Sequence, residues 1–201
     1  MNKDLLIIFT KNPVAGKVKT RLAEDLGNNQ ALEVYKFLLE HSVEVTKPVK
    51  ADKQVHYSDK IPEIDIWSSQ LFIKRQQQGK DLGERMENAF KAGFDEGYER
   101  IIIIGTDLYD IKTSDLELAF SELEKNDFVI GPAEDGGYYL LGMKSLNSEL
   151  FRNKKWSTSS VFDDSLKNMN GQKVKILETQ NDIDVLDDIK DHPAFQKFIN
   201  I

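Results

Sequence analysis

Apolar residues occur along the chain in two alternating patterns, one continuous and one periodic. Short unbroken apolar runs at residues 5–9 and 101–104 are typical of strands buried on both faces of a parallel sheet. The four consecutive isoleucines of the second run favour a strand over a helix, because β-branched side chains fit a pleated sheet better. We predict further strands at 54–57, 71–75, 128–131, 138–143 and 173–177.

Between these runs, apolar residues recur every three or four positions, as on one face of an amphipathic helix. The spacing predicts helices over 31–45 and 82–94, one that begins at Thr113 or Ser114, and one capped by Ser159 or Ser160. Alternating strands and helices predict an α/β fold with a mainly parallel sheet and right-handed crossovers. The sequence contains no internal repeat or linker, so we expect a single domain over 1–201.

Composition and charge exclude several classes of protein. The chain has 27 Lys plus Arg against 34 Asp plus Glu, a net charge of −7 that disfavours a nucleic-acid partner. It has no cysteine, which excludes disulfides, thiolate nucleophiles and Cys-ligated zinc. No apolar run approaches the ~18 residues of a membrane span, and the start of the chain lacks signal-peptide features. We therefore expect a cytoplasmic protein without a membrane span, and the sequence does not indicate its oligomeric state.

A cationic loop follows the first predicted strand. Lys11, Lys17, Lys19 and Arg21 lie in it without an intervening acidic residue, and Gly16 allows backbone N–H groups to approach a ligand. Cations beside the start of a helix are typical of a phosphate or nucleotide site. The alternative is a solvated charged turn.

Carboxylates occur after several later strands. Asp107 follows the isoleucine strand and is a candidate ligand of Mg²⁺ or Mn²⁺, or else the cap of a turn. Asp135 opens an Asp-Gly-Gly turn, which either approaches a ligand closely or only connects a β-hairpin. Residues 182–188 contain four aspartates, of which some are expected to cap helices and one to supply a second metal ligand.

Several segments together resemble a family of bacterial proteins in the GT-A glycosyltransferase-like superfamily, the nucleotide-diphospho-sugar transferases. The matching segments span nearly the whole chain and comprise 9–13, 16–22, 78–86, 105–107, 131–140 and 182–184. The resemblance implies a GT-A-type, Rossmann-like three-layer sandwich with a mainly parallel mixed sheet. One departure concerns Tyr109, which stands where relatives commonly have proline two residues after the metal-binding aspartate.

The resemblance also implies roles for individual residues. Asp107 and Asp184 would hold Mg²⁺ or Mn²⁺, with Asp182 as the alternative to Asp184, and Asp135 would act as the acceptor-side base. The residues expected to bind the nucleotide are Lys11, Gly16, Lys17, Lys19, Thr20, Arg21, Gln78, Gly79, Leu82, Gly83 and Arg85. Those expected to face the acceptor are Gly136, Gly137, Tyr138 and Trp156.

The function implied is that of a metal-dependent transferase. It would use a nucleotide-diphospho-sugar as donor and pass the sugar to a small acceptor, while bound metal and cations neutralise the leaving diphosphate. Two alternatives stay open at this point. One is a nucleotidyltransferase that takes a nucleoside triphosphate and releases pyrophosphate, and the other is a nucleotide-binding protein without turnover.

Overall fold

A computed structural model describes residues 3–199 of the protein, and strands within that range form a mixed sheet. The seven strands are β1 (Asp4–Thr10), β2 (Asp52–Tyr57), β3 (Ile73–Gln76), β4 (Arg100–Ile104), β5 (Phe128–Pro132), β6 (Tyr138–Met143) and β7 (Val174–Ile176). Each corresponds to one of the predicted strands, and its ends differ from the predicted ends by at most two residues. Their order is β3-β2-β1-β4-β6-β5-β7.

Helices connect the strands much as the periodic pattern predicts. They are α1 (Leu22–Leu26), α2 (Asn28–Thr46), α3 (Leu82–Asp95), α4 (Thr113–Leu123), α5 (Val161–Asn168) and α6 (Gln196–Ile199). The four predicted helices are α2 to α5, while α1 and α6 are too short to give a periodic signal. Asp81 caps α3 by accepting a hydrogen bond from the backbone N–H of Glu84. No helix between residues 3 and 199 is both long and apolar enough to cross a membrane.

The sheet lies between two layers of helices. Leu6 and Ile8 of β1 belong to a buried cluster with α2 and α4, whereas Leu5 and Ile7 pack with α3 and α5 on the opposite face. All four side chains are fully buried, because successive residues of a strand point to opposite faces and both faces are covered. The predicted three-layer α/β sandwich is confirmed.

Strand direction brings the loops of interest to one edge of the sheet. Strands β1, β2, β3 and β4 are parallel to one another, and β5 is parallel to β7, whereas β6 runs antiparallel to both β4 and β5. The carboxyl ends of the parallel strands therefore lie at the same edge as the beginning of β6. In open α/β sheets, ligands bind outside this edge.

Candidate active site

The first loop is anchored to the sheet by the hydroxyl of Tyr35, which lies on α2. The backbone N–H of Lys11 donates to this hydroxyl at 2.9 Å, and the hydroxyl contacts the side-chain oxygens of Thr10 and Thr106 at 3.2 and 3.3 Å. Burial raises the pKa of Tyr35, and the charge of Asp107 adds to that rise. Tyr35 therefore stays neutral and joins the loop after β1 to the loop after β4.

Lys19 turns inward from the first loop instead of pointing to solvent. Its φ of +48° is a left-handed conformation that is uncommon outside glycine. Its side chain is 5% exposed, and its ammonium forms an ion pair with the carboxylate of Asp107. The same ammonium donates a hydrogen bond to the carbonyl oxygen of Ile183. Lys19 thus links three segments that are far apart in the sequence.

Lys11 and Lys17 differ from Lys19, because both side chains lie on the exposed part of the same loop. Among residues 3–199, neither has an acidic partner within ion-pair distance. These two cations are therefore available to an anionic ligand without the loss of an existing ion pair.

Asp182 lies beside Asp107 because two loops pair through their backbones. Leu108 and Asp182 form an antiparallel bridge, and the N–H of Ile183 donates to the carbonyl of Asp107 at 2.9 Å. Burial raises the pKa of the Asp182 carboxyl, and the negative charges of Asp135 and Asp107 raise it further. Three aspartates from three loops therefore form one anionic group.

Asp184, the expected second metal ligand, has a different partner. Its carboxylate pairs with Arg21 at 2.6 Å, and its backbone N–H donates to Asp188 at 2.7 Å. Asp182, the alternative, is the residue in electrostatic contact with Asp107. The structure therefore brings Asp182, and not Asp184, into electrostatic contact with Asp107.

Asp135 occupies the turn between β5 and β6. Its Oδ1 accepts the N–H of Gly137 at 2.7 Å, which fixes the turn that joins the two antiparallel strands. Gly136 has a φ of +87°, and a Cβ there would lie 2.3 Å from the carbonyl oxygen of Ser159, so this position requires glycine. The segment is a hairpin connection and also part of a cavity wall.

Two cavities of about 570 and 420 Å³ lie at this edge of the sheet. We call the larger one the aromatic chamber, because Phe9, Tyr138, Tyr139 and Trp156 line it. We call the smaller one the cationic chamber, because it is lined by Lys11, Lys17, Lys19 and Arg21. Residues common to both walls are Lys11, Tyr35, Asp107, Asp135, Ser157 and Asp182. The anionic group therefore lies where the two chambers meet.

Arg85 provides a cation in the aromatic chamber. Its Nε donates to the carbonyl oxygen of Gly79 at 3.1 Å, and its Nη1 donates to the side chain of Gln77 at 3.4 Å. Gln77 in turn donates to the carbonyl oxygen of His56 at 2.9 Å. Arg85 is therefore held by the ends of β2 and β3 and lies in the chamber wall.

Trp156 packs on α3 at Gly83. A Cβ on Gly83 would lie 2.6 Å from the indole ring of Trp156, so only glycine permits this contact. Tyr138 faces the same chamber and lies 3.8 Å from the sulfur of Met86. Burial raises the pKa of Tyr138, which keeps its hydroxyl neutral. The result is an apolar wall opposite the charged residues.

Most of the residues selected from the sequence come together here. Those that line a chamber are Lys11, Lys17, Lys19, Thr20, Arg21, Leu82, Arg85, Asp107, Asp135, Gly137, Tyr138, Trp156 and Asp184. Those that line neither chamber are Gly16, Gln78, Gly79, Gly83 and Gly136. For Gly83 and Gly136 the structure shows close backbone packing, and the carbonyl of Gln78 accepts a hydrogen bond from Asn88.

Some residues of the walls were not selected from the sequence. Tyr35 lies on the apolar stripe of α2, where an aromatic ring is indistinguishable from a core residue, although its hydroxyl is the useful group. Gln77 directly follows β3 and lines the chamber, whereas its neighbour Gln78 does not. The position next to a strand end was the available signal for Gln77. Ser157 lines both chambers and carried no signal.

Comparisons with known proteins give the family and the fold of the chain. The model of the family described as "uncharacterized protein conserved in bacteria", DUF2064, matches residues 40–158. The chain belongs to this family. A solved structure from Desulfovibrio desulfuricans G20, described as a nucleotide-diphospho-sugar transferase, is similar at 30% identity. It superposes with a TM-score of 0.88 over 98% of this chain and 91% of that one.

Two further known proteins are similar to this chain, one in sequence and one in fold alone. A 2-phospho-L-lactate guanylyltransferase from Methanocaldococcus vulcanius is 29% identical over 147 residues, which cover 71% of this chain and 63% of that protein. The 4-diphosphocytidyl-2C-methyl-D-erythritol synthase from Anaerococcus prevotii shares the fold at 11% identity, with a TM-score of 0.60 over 97% of each chain. The chain was expected to resemble nucleotide-diphospho-sugar transferases and to be a transferase. Both expectations agree with the descriptions of the Desulfovibrio and Methanocaldococcus proteins.

Proposed function

We propose that the protein binds a nucleotide-diphospho-sugar together with a divalent metal ion and transfers the sugar to a small acceptor. The observation that carries the proposal is the junction of the cationic and aromatic chambers at Asp107, Asp135 and Asp182. Such a junction suits a substrate with a charged diphosphate on one side and a sugar on the other. The similarity to the Desulfovibrio protein over almost the whole chain supports the same class of donor.

The cationic chamber suits the diphosphate. Lys11 and Lys17 have no acidic partner among residues 3–199, and charge-assisted hydrogen bonds from lysine to phosphate are strong. The hydroxyl of Tyr35 fixes the backbone of Lys11, so the loop needs little reordering when the ligand arrives. Arg85 lies in the aromatic chamber and adds a cation on the side of that chamber formed by β3 and α3.

The carboxylates fit a divalent cation that is bound together with phosphate. Mg²⁺ is usually held by one or two carboxylates, substrate phosphate oxygens and waters. Asp107 and Asp182 provide such a pair. These carboxylates repel each other, and Asp135 also repels Asp182, which favours an added cation. Within residues 3–199 no three acidic or histidine side chains form a ready-made metal centre. When bound, the ion would neutralise charge on the departing diphosphate.

The aromatic chamber suits the sugar and its acceptor. Trp156 and Tyr138 give a ring surface for the apolar face of a sugar, and Asp135 lies at the boundary with the diphosphate side. Asp135 uses Oδ1 for the turn, which leaves Oδ2 to receive the proton of an acceptor hydroxyl. The acceptor oxygen then bonds to the anomeric carbon, and the nucleoside diphosphate leaves with the electrons of the broken C–O bond.

A thermal-shift and product assay tests the proposal. Nucleotide sugars at about 100 times their Kd should add roughly 2.7 kcal/mol to the free energy of unfolding, with each kcal/mol raising Tm by roughly 2 to 4 °C. The shift should require Mg²⁺ or Mn²⁺ and disappear in Asp107→Asn. The control Asp110→Asn lies in the same loop, but its side chain is 66% exposed and should not alter the shift. Release of nucleoside diphosphate with an acceptor supports sugar transfer, whereas flat traces with every nucleotide sugar contradict it.

Nucleotidyl transfer is the second candidate, because the guanylyltransferase relative shares 29% identity over 147 residues. The same cations and carboxylates suit a triphosphate with its metal ion. Pyrophosphate released from a nucleoside triphosphate in the presence of an acceptor would decide for this reaction. Metal-dependent binding without either product would instead indicate a nucleotide-binding protein.

A further inference from the structure

Lys19 occupies a position that does not suit a simple phosphate contact. Its side chain is 5% exposed, and its ammonium already contacts the carboxylate of Asp107 and the carbonyl oxygen of Ile183. Two of its three N–H groups are thus used, and the low exposure leaves little room for a phosphate at the third. Lys11 and Lys17 are exposed on the same loop and require no such loss.

The charges around Lys19 indicate a different role. Asp107, Asp135 and Asp182 line the cationic chamber together with Lys19, whose ammonium pairs with Asp107. Arg21, another cation of the chamber, is paired with Asp184. Without the Lys19 ammonium, the Asp107 carboxylate would lose its ion pair while the repulsion from the neighbouring carboxylates remained, which is unfavourable.

We propose that Lys19 is the resident cation of the Asp107–Asp182 pair. It holds the loop after β4 against the 182–184 segment before any ligand arrives, and it lowers the affinity of that pair for a divalent ion. The Asp107 side chain is 42% exposed, so one side faces the cleft while the ammonium occupies the inner side. A divalent ion then binds well only when substrate phosphate supplies further anionic ligands. Lys19 is a positioning residue that makes metal binding depend on the nucleotide.

This inference rests on the proposed function only in assuming that a divalent ion reaches the site. It can be tested without nucleotide, by titrating the protein with Mn²⁺ and measuring free Mn²⁺ by electron paramagnetic resonance. Removal of a positive charge at ion-pair distance strengthens attraction for a divalent ion, so we expect the Mn²⁺ Kd of Lys19→Met to fall by about tenfold or more. Lys19→Arg keeps the charge and should bind Mn²⁺ as weakly as the wild type.

Lys17→Met is the matched control, because it removes a cation of the same loop that has no carboxylate partner among residues 3–199. Its Mn²⁺ affinity should change far less than that of Lys19→Met. Lys19→Met should also unfold at a lower temperature than the wild type and recover part of that loss when Mn²⁺ is added. Equal Mn²⁺ affinities for the wild type and Lys19→Met, or tight binding by Lys19→Arg, would overturn the proposal.

A measurement on the wild type keeps the test independent of variant folding. In protein labelled with ¹⁵N-lysine, the Lys19 ammonium should be protected from solvent exchange when metal and nucleotide are absent. High concentrations of Mg²⁺ should weaken that protection as the ion competes for Asp107. An ammonium that exchanges freely in the metal-free protein would contradict the proposal. Failure to detect transferase activity would leave these results unaffected, so the two proposals fail separately.

Discussion

Tyr35→Phe removes one oxygen atom and leaves the ring in the core. That oxygen accepts the backbone N–H of Lys11 at 2.9 Å, donates to the carbonyl of Lys11 at 3.1 Å, and contacts the hydroxyls of Thr10 and Thr106. Tyr35 is 1% exposed, so water cannot easily replace the hydroxyl. The variant therefore leaves the N–H of Lys11 without its partner.

The expected loss of stability follows from the polar groups that are left without a hydrogen-bond partner. Loss of a partner by a buried polar group costs about 1–3 kcal/mol. The contacts with Thr10 and Thr106 are buried and that with Lys11 is partly buried, so we expect the free energy of unfolding to fall by about 2 kcal/mol. For a domain of this size, that corresponds to a Tm lower by roughly 4–8 °C. Because the backbone of Lys11 loses its anchor, the affinity for nucleotide should fall as well. Urea unfolding gives the first quantity and a nucleotide titration with Mg²⁺ gives the second.

Tyr98→Phe provides the control. The Tyr98 hydroxyl donates to Asp52 at 3.0 Å at the opposite edge of the sheet, so its loss should lower stability without changing nucleotide affinity. Two results would refute the reasoning about Tyr35. One is a loss of stability below about 0.5 kcal/mol, which is small even for an ordinary hydrogen bond. The other is a nucleotide affinity equal to that of Tyr98→Phe.

Three other predictions concern the core, the chamber wall and the carboxylates. Burial lowers the pKa of His56 to about 4, whereas an unfolded histidine titrates near 6.5. Between these values the unfolded chain therefore binds more protons than the folded protein. Acidification from pH 7 to 5 should lower the free energy of unfolding by about 2 kcal/mol more in the wild type than in His56→Gln, as measured by urea unfolding. Gly83→Ala places a methyl group against Trp156 and should lower stability by about 1–3 kcal/mol, alter tryptophan fluorescence and raise the KM for the acceptor. Asp182→Asn should weaken metal-dependent nucleotide binding about tenfold or more, and a larger effect of Asp184→Asn would contradict the assignment of the second carboxylate.

The fold was largely predictable because its determinants are local. Strands β1 and β4 contain unbroken apolar runs, and the stripes of α2 to α5 repeat every three or four residues. Short elements such as α1 and α6 lack the length for a periodic signal, so they were not predicted. The direction of β6 was only partly indicated, since its Asp-Gly-Gly turn fits either a ligand loop or a hairpin. The structure shows that it serves as a hairpin and lines the cleft.

The site was less predictable, because contacts between distant segments decide which of several equivalent residues is used. Lys17 and Lys19 are two positions apart and are chemically identical, yet one is exposed and the other is buried against Asp107. That difference depends on the carbonyl of Ile183, which lies 164 positions further along the chain. A pattern within the loop contains no information about that contact.

The choice between Asp182 and Asp184 was likewise not predictable from the local sequence. Asp182 and Asp184 are two positions apart in the sequence, so an extended backbone would point both side chains the same way. Alternation therefore cannot choose between them, and the choice depends on register. The bridge between Leu108 and Asp182 places Asp182 beside Asp107, while Asp184 lies further along and meets Arg21. Which aspartate lies beside Asp107 is therefore decided by how residues 182–184 pair with the loop after β4.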